Sequence, residues 1–278
     1  MIRNQILLVA CVFALAILPT AVPSHAAVIN LSNQNTFTQI NPDAPGAVGQ
    51  LNWFVDATNQ LASQWFYLKV GNGAVQPVNM LSAATVSNQT TNSVMLTYTQ
   101  AGLATVNLTF TLLGSALGSG TADLAVQAGV TNLTGATANV SLFEFANFDL
   151  NGSAANDTVS FPSGTQITQT KGATTVTEDT VISAFQGHEG NTPGTVLGAV
   201  TTNTLNNLPA IGGSVGPGDE SWAVRWDRTL GVNGAFTVSK DENITGGAIG
   251  QVPEPSSIMI WGLIGLTFGG VSAARRRS

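Results

Sequence analysis

From Ala104 to Leu112 the chain reads Ala-Thr-Val-Asn-Leu-Thr-Phe-Thr-Leu, with apolar side chains at the even positions from Val106 and polar ones between them. A period of two puts every second side chain on the same face of an extended backbone, so this segment is a half-buried strand. The pattern recurs at 93–99, 124–130, 140–148, 165–177, 221–226 and 235–239. Turn-forming clusters separate these runs: Gly71-Asn72-Gly73, 114–120, Asn151-Gly152, Pro162-Ser163-Gly164, Gly212-Gly213 and Asn233-Gly234. Helix signals are few; the one helix-tolerant stretch, 57–64, is short. Many short strands without a strand–helix–strand rhythm predict an all-β fold, an antiparallel sandwich, with a C-terminal single transmembrane helix added to it. Two glycine- and proline-rich stretches, 187–194 and 208–218, read as long surface loops or subdomain seams.

Both ends of the chain differ from this body. Arg3, then an uncharged run from Ile6 to Leu18, then Ser24-His25-Ala26 form an export signal with cleavage expected after Ala26. Leu8-Val9-Ala10-Cys11 matches a lipoprotein box only superficially, because the apolar run continues past Cys11. At the other end, Val252-Pro253-Glu254-Pro255 precedes an uncharged stretch from Ile258 to Ala274, followed by Arg275, Arg276 and Arg277. That stretch is just long enough to cross a bilayer, and the arginines place its end in the cytoplasm. Read physically, it is also compatible with an ordinary single-span anchor on a proline-rich neck. The domains expected are therefore 1–26, signal peptide; 27–244, extracellular β domain; 245–251, flexible linker; and 252–278, motif, membrane helix and arginine cluster.

The order, spacing and terminal position of those last three parts resemble the PEP-CTERM sorting signal of exported bacterial proteins. The resemblance covers residues 252–278. It implies recognition at Pro253, Glu254 and Pro255 by exosortase, a membrane-embedded cysteine peptidase. It further implies transient membrane anchoring, release to the cell surface or extracellular space, and association with extracellular polysaccharide or biofilm matrix. The motif is a substrate sequence, not a catalytic one. The stretches 143–150, 156–159 and 222–227 are similar, more loosely, to bodies of PEP-CTERM proteins with no assigned activity.

Composition excludes several chemistries. Cys11 is the sole cysteine and lies in the export signal, so the body has neither a disulfide nor a thiolate nucleophile. Residues 27–251 hold 14 Asp and Glu against 5 Lys and Arg, a net charge of 5 − 14 = −9. Nucleic acid, which is bound through cationic contacts to phosphate, is therefore not an expected partner.

Candidate catalytic residues are sparse. His188 is the one histidine of the body, it sits in a glycine-rich stretch, and no Gly-x-Ser-x-Gly elbow accompanies it, so it reads as a solvated loop residue. Glu178-Asp179, Asp219-Glu220 and Asp241-Glu242 are carboxylate pairs, but adjacent strand residues point to opposite faces, and all three read as solvated acids beside turns. Asp149, Asn151, Asn156 and Asp157 offer oxygen ligands within one loop, yet they fit no EF-hand and are ordinary turn formers. Trp53, Trp65, Trp222, Trp226, Tyr67 and Tyr98 suit sugar stacking but alternate with apolar strand residues, as core does. The expectation is thus a non-enzymatic surface or matrix protein, structural or adhesive, with no catalytic residues, metal or cofactor. A carbohydrate-binding module with an exposed tryptophan, or a secreted hydrolase, is the alternative.

Overall fold

The computed structural model describes residues 26–44 and 49–246. The sorting motif, the expected membrane helix, the arginine cluster and the signal peptide up to His25 lie outside the described residues. Among the described residues no helix is long and apolar enough to cross a membrane.

The first strands are β1 (Ile29–Asn33), β2 (Thr36–Ile40), β3 (Gln50–Val55), β4 (Thr58–Asn59), β5 (Leu61–Val70), β6 (Gln76–Pro77) and β7 (Thr85–Ser87). There follow β8 (Ser93–Gln100), β9 (Ala104–Gly114), β10 (Thr121–Asn132), β11 (Ala138–Phe148), β12 (Asp157–Ser163), β13 (Gln166–Lys171) and β14 (Thr174–Ile182). The chain continues through β15 (Gly187–Asn191), α1 (Pro193–Thr202), which is the single α-helix among the described residues, β16 (Ser214–Gly218), β17 (Ser221–Leu230) and β18 (Ala235–Gly246).

Two nine-stranded antiparallel sheets result. One runs β1-β2-β3-β5-β11-β17-β15, with β4 beside β3 and β6 beside β5; the other runs β16-β12-β13-β14-β18-β10-β9-β8-β7. The alternation in β9 and β10 fixes their register, with Phe110 opposite Val126 and Leu112 opposite Leu124. A slip of one residue would turn every one of these side chains from core to solvent. The expected antiparallel sandwich is therefore present, and the long periodic run 165–177 is in fact a hairpin, β13 and β14, folded at Gly172 with φ +59°.

The core is continuous between the sheets. Trp53, Trp65, Trp222 and Trp226 are 0–1 % exposed, and Phe148 stacks on Trp222 with ring centroids 6.4 Å apart. Tryptophan indoles bury more apolar area than any other side chain, so these four residues anchor the core. An exposed tryptophan platform, the mark of the binding-module alternative, does not occur among them.

Both stretches read as loops contain strands: Gly187–Asn191 is β15, an edge strand bonded to β17, and Ser214–Gly218 is β16, paired with β12. The residues after β15 form α1, with Pro193 in its first turn and Asn203 closing it at φ 57°. Pro is tolerated at the start of a helix and Asn in the left-handed position at its end. The Thr- and Val-rich interior hides the helix from propensity, and it forms by burying Val196 and Val200. At the other boundary β18 continues through Thr245 and Gly246.

Candidate functional site

The most concentrated charge lies between the sheets. Lys240 and Glu242 are two apart on β18 and so share a face; Glu178 of β14 stands opposite Glu242. Glu144 of β11 and Gln64 of β5 reach this point from the facing sheet. Lys240 Nζ donates to Glu178 Oε2 at 3.0 Å and to Glu242 Oε1 at 2.6 Å, and also to Glu144 Oε1. Gln64 Nε2 donates to Glu144 and Glu242. The charged side chains are 0–1 % exposed. Their second oxygens, Glu144 Oε2, Glu178 Oε1 and Glu242 Oε2, have no hydrogen-bond partner.

One ammonium cannot neutralise three carboxylates in a dry interior, so the cluster retains protons. Burial pushes Glu144 up to about 7, against the pull of Lys240 and with a further push from Glu242. Glu178 is driven well above the usual range by burial and by Glu144. Burial alone works against the Lys240 ammonium, but the three carboxylates outweigh it and raise its pKa. The three glutamates have the spacing of a carboxylate ion site, their oxygens lying within 4.8 Å of one another; the Lys240 ammonium already supplies the cation there. Sealed from solvent, this is a structural cluster. It overturns the expectation that Glu178 and Glu242 are solvated acids beside turns.

A second group sits at one end of the sandwich and reaches the surface. Asp157 opens β12 and is fully buried. Lys171 closes β13, with Nζ 3.9 Å from Asp157 Oδ1. Gln169 Nε2 donates to Phe148 O at 2.7 Å, to Asp157 Oδ2 at 3.2 Å and to Glu220 O at 3.2 Å, tying three elements together. Asp149 follows β11, half-buried, and Asp219 is exposed in the turn between β16 and β17. The pairing of Asp157 with Gly218 brings that turn to β12.

Burial pushes Asp157 up to about 7, with Asp149 and Asp219 adding to the rise and Lys171 and Gln169 opposing it. Asp149 is raised by burial and then by Asp219, against Lys171. Glu220 is raised by burial and then by Asp219. Titratable groups held away from their ordinary pKa at an accessible end of a fold are candidate acid–base machinery. Three separate chain segments supply them, so no local motif announces them. The one local signal is the Asp149–Asp157 loop, whose Asp and Asn residues offer oxygen ligands. Its Asn151 is a staple: it accepts from Thr174 Oγ1 at 2.8 Å and donates to Lys171 O at 3.4 Å, while Asn156 takes up a φ of 68° in a turn.

His188 is not a solvated loop residue. It lies on β15, 5 % exposed, with Nε2 2.7 Å from Pro209 O and its ring 4.5 Å from Phe161 and 5.7 Å from Phe185. Glu189 beside it accepts the Asn206 N–H at 2.7 Å. A cavity of about 350 Å³ borders His188, lined also by Phe185, Asn207 and Ile211. Ala26, the expected cleavage position, donates its N–H to Asp43 Oδ2 at 2.5 Å.

No protein-family model and no curated protein matches the chain. Solved structures do. An Escherichia coli K12 protein described as an aldose 1-epimerase superposes with a TM-score of 0.53 at 10 % identity, covering 80 % of this chain and 99 % of that one. A galactose mutarotase-like protein from Lactobacillus casei gives 0.52 at 11 % identity, covering 78 % and 100 %. A bacterial glucoamylase complexed with acarbose gives 0.53 at 10 % identity over 77 % of this chain, which spans 31 % of the glucoamylase. At these identities the likeness is one of fold.

The likeness corrects the expectation of a structural or adhesive protein with no enzymatic role. The body has the architecture of proteins described as sugar epimerases and a glucoamylase, and it carries a group of perturbed carboxylates at one end. Asp149, Asp157 and Asp219 are neither adjacent in sequence nor part of a fixed motif, because the sandwich assembles them from distant strand ends.

Proposed function

We propose that the β domain acts on a sugar by general acid–base catalysis, at the end of the sandwich where Asp149, Asp219 and Lys171 meet. The observation that carries this reading is the convergence there of Asp149, Asp157, Asp219 and Lys171 from separate segments, in a sandwich shared with sugar-processing proteins. Asp149, held protonated more readily than a free carboxylate, is the acid; exposed Asp219 is the base. On a cyclic aldose the base takes the proton of the anomeric hydroxyl and the acid protonates the ring oxygen. The bond from the anomeric carbon to that oxygen breaks, leaving the open aldehyde. Reclosure on the other face, with both protons returned, gives the opposite anomer and needs no co-reactant. Lys171 steadies negative charge between the two acids. Buried Asp157 is a positioning residue that holds Lys171.

The test is the decay of optical rotation of freshly dissolved α-D-glucose and α-D-galactose. The wild type is expected to accelerate it, and Asp149→Asn and Asp219→Asn are each expected to lower the rate by about 10²–10⁴-fold. Decay no faster than in buffer, for these and other aldoses, would remove the reading.

The sorting pattern supports a separate part of the proposal. The chain is exported, anchored by residues 258–274, and cut by exosortase near Pro253-Glu254-Pro255 before release to the surface or medium. The intact mass of the released protein is expected to end near that motif; a chain still ending at Ser278 would make it a permanently tethered protein.

A further inference from the structure

Three chain tips meet beside β2 and β3. Gln34 turns between β1 and β2 at φ 47°, and Asp56 and Ala57 turn between β3 and β4 at φ 48° and 67°. Left-handed backbone at non-glycine residues is costly and persists only where the surroundings impose it. The third tip is the loop between β9 and β10, which carries Leu117. Asp56 holds that loop: its carboxylate accepts the N–H groups of Gly118 at 2.6 Å and Gly120 at 2.7 Å. Asn35 adds a bond from Ser115 N at 2.8 Å.

The outcome is a cleft of about 600 Å³ walled by Phe37, Phe54 and Leu117. The two rings are half-buried, 6.2 Å apart and tilted at 44°. Leu117 is 87 % exposed on a loop the Asp56 carboxylate fixes in place. Ser32 and Gln34, both exposed, lie at the rim with hydroxyl and amide groups. A leucine pinned into solvent opposite two phenylalanines suits a ligand that brings its own apolar surface.

Charge narrows the ligand class. The cleft is lined by the Asp56 carboxylate and by no Lys or Arg, and the body carries the −9 balance counted above. An anionic polymer would meet only like charge. We propose that this cleft binds a neutral oligosaccharide, seating the C–H face of one sugar ring against Phe37 and Phe54, with Ser32 and Gln34 meeting its hydroxyls. The β3–β4 turn leads into Asn59, whose carbonyl packs 3.7 Å from where a Cβ on Gly152 would lie, so one tip of the cleft neighbours the loop that follows Asp149. In substrate class the inference builds on the acid–base reading, but the binding it asserts stands apart from turnover.

Titration calorimetry on the full chain with cellotetraose and maltotetraose, and with tetragalacturonate as the anionic counterpart, tests it. Saturable binding of a neutral tetrasaccharide and none of tetragalacturonate is expected. Phe37→Ala, Phe54→Ala and Leu117→Ser should each weaken binding about tenfold, the scale of one lost ring contact. Leu117→Ser leaves the core untouched and keeps the test valid if a phenylalanine variant fails to fold. Asp149→Asn and Asp219→Asn should bind as the wild type does. Binding without any anomer interconversion would sink the catalytic reading and leave the cleft standing. The cleft proposal is overturned if no neutral tetrasaccharide binds, if binding falls only in the aspartate variants, or if the cleft instead joins two copies that Leu117→Ser separates.

Discussion

Lys240→Met is expected to destabilise the domain by about 3–5 kcal/mol, the usual cost of stranding buried charge. The variant removes the one cation that Glu144, Glu178 and Glu242 face, and none of the three can turn to water from between the sheets. Urea unfolding at pH 7, followed by tryptophan fluorescence, reads the loss directly, because all four body tryptophans are buried. Adding Glu144→Gln and Glu178→Gln to Lys240→Met should recover part of the loss, since neutral amides need no counter-charge. An unfolding free energy within about 0.5 kcal/mol of wild type, the range of an ordinary surface change, would mean that water reaches the cluster.

The second large effect is on pH. Glu144 titrates at about 7 in the folded protein against an ordinary 4.5, so between those values the folded state holds a proton that the unfolded chain has released. Stability from this group is complete below about pH 4.5 and is lost as pH rises through 7. At about 1.4 kcal/mol per pH unit across that window, the loss is on the order of 3 kcal/mol. Asp157, raised from 3.8 to about 7, acts in the same direction. Lys240, raised in its turn, contributes steadily throughout this range and loses its contribution only in strong alkali. The Glu144 contribution alone is therefore expected to lower the melting temperature by roughly 6–12 °C between pH 4.5 and 7.5, and Glu144→Gln should remove that share of the slope while Asp157 and Glu178 keep theirs. A melting temperature that stays level over the same range would show that the folded cluster ionises as freely as the unfolded chain, and one that climbs would show that its carboxylates are held ionised by the fold.

Most of the sandwich was legible before any coordinates. Val106, Leu108, Phe110 and Leu112 alternate with polar residues, and alternation is a property of a single strand that needs no partner to be seen. The aromatic residues could be placed in the core for the same reason: Trp222, Val224 and Trp226 share a face within one strand. The legible part stops where a residue's role depends on a neighbour far along the chain. Glu144 lies inside Phe143-Glu144-Phe145, and nothing nearby says that Lys240 and Gln64 will meet it. His188 looks solvated because glycines flank it; those glycines serve an edge strand instead. Asp219 and Asp149 look like turn acids because each is one, and only the pairing of β12 with β16 makes them neighbours.

Local chemistry alone thus determined that the body is built of antiparallel strands, that it is acidic and free of thiols, and that its two ends differ from it in composition. Hydrophobic period, charge and turn propensity are written in consecutive residues, and these properties follow from them. The tertiary structure decided which acids are buried, which are exposed, and which share a field. Those outcomes depend on sheet order and on the dielectric around each side chain, and both arise only when strands as distant as β5, β11, β14 and β18 close on one another.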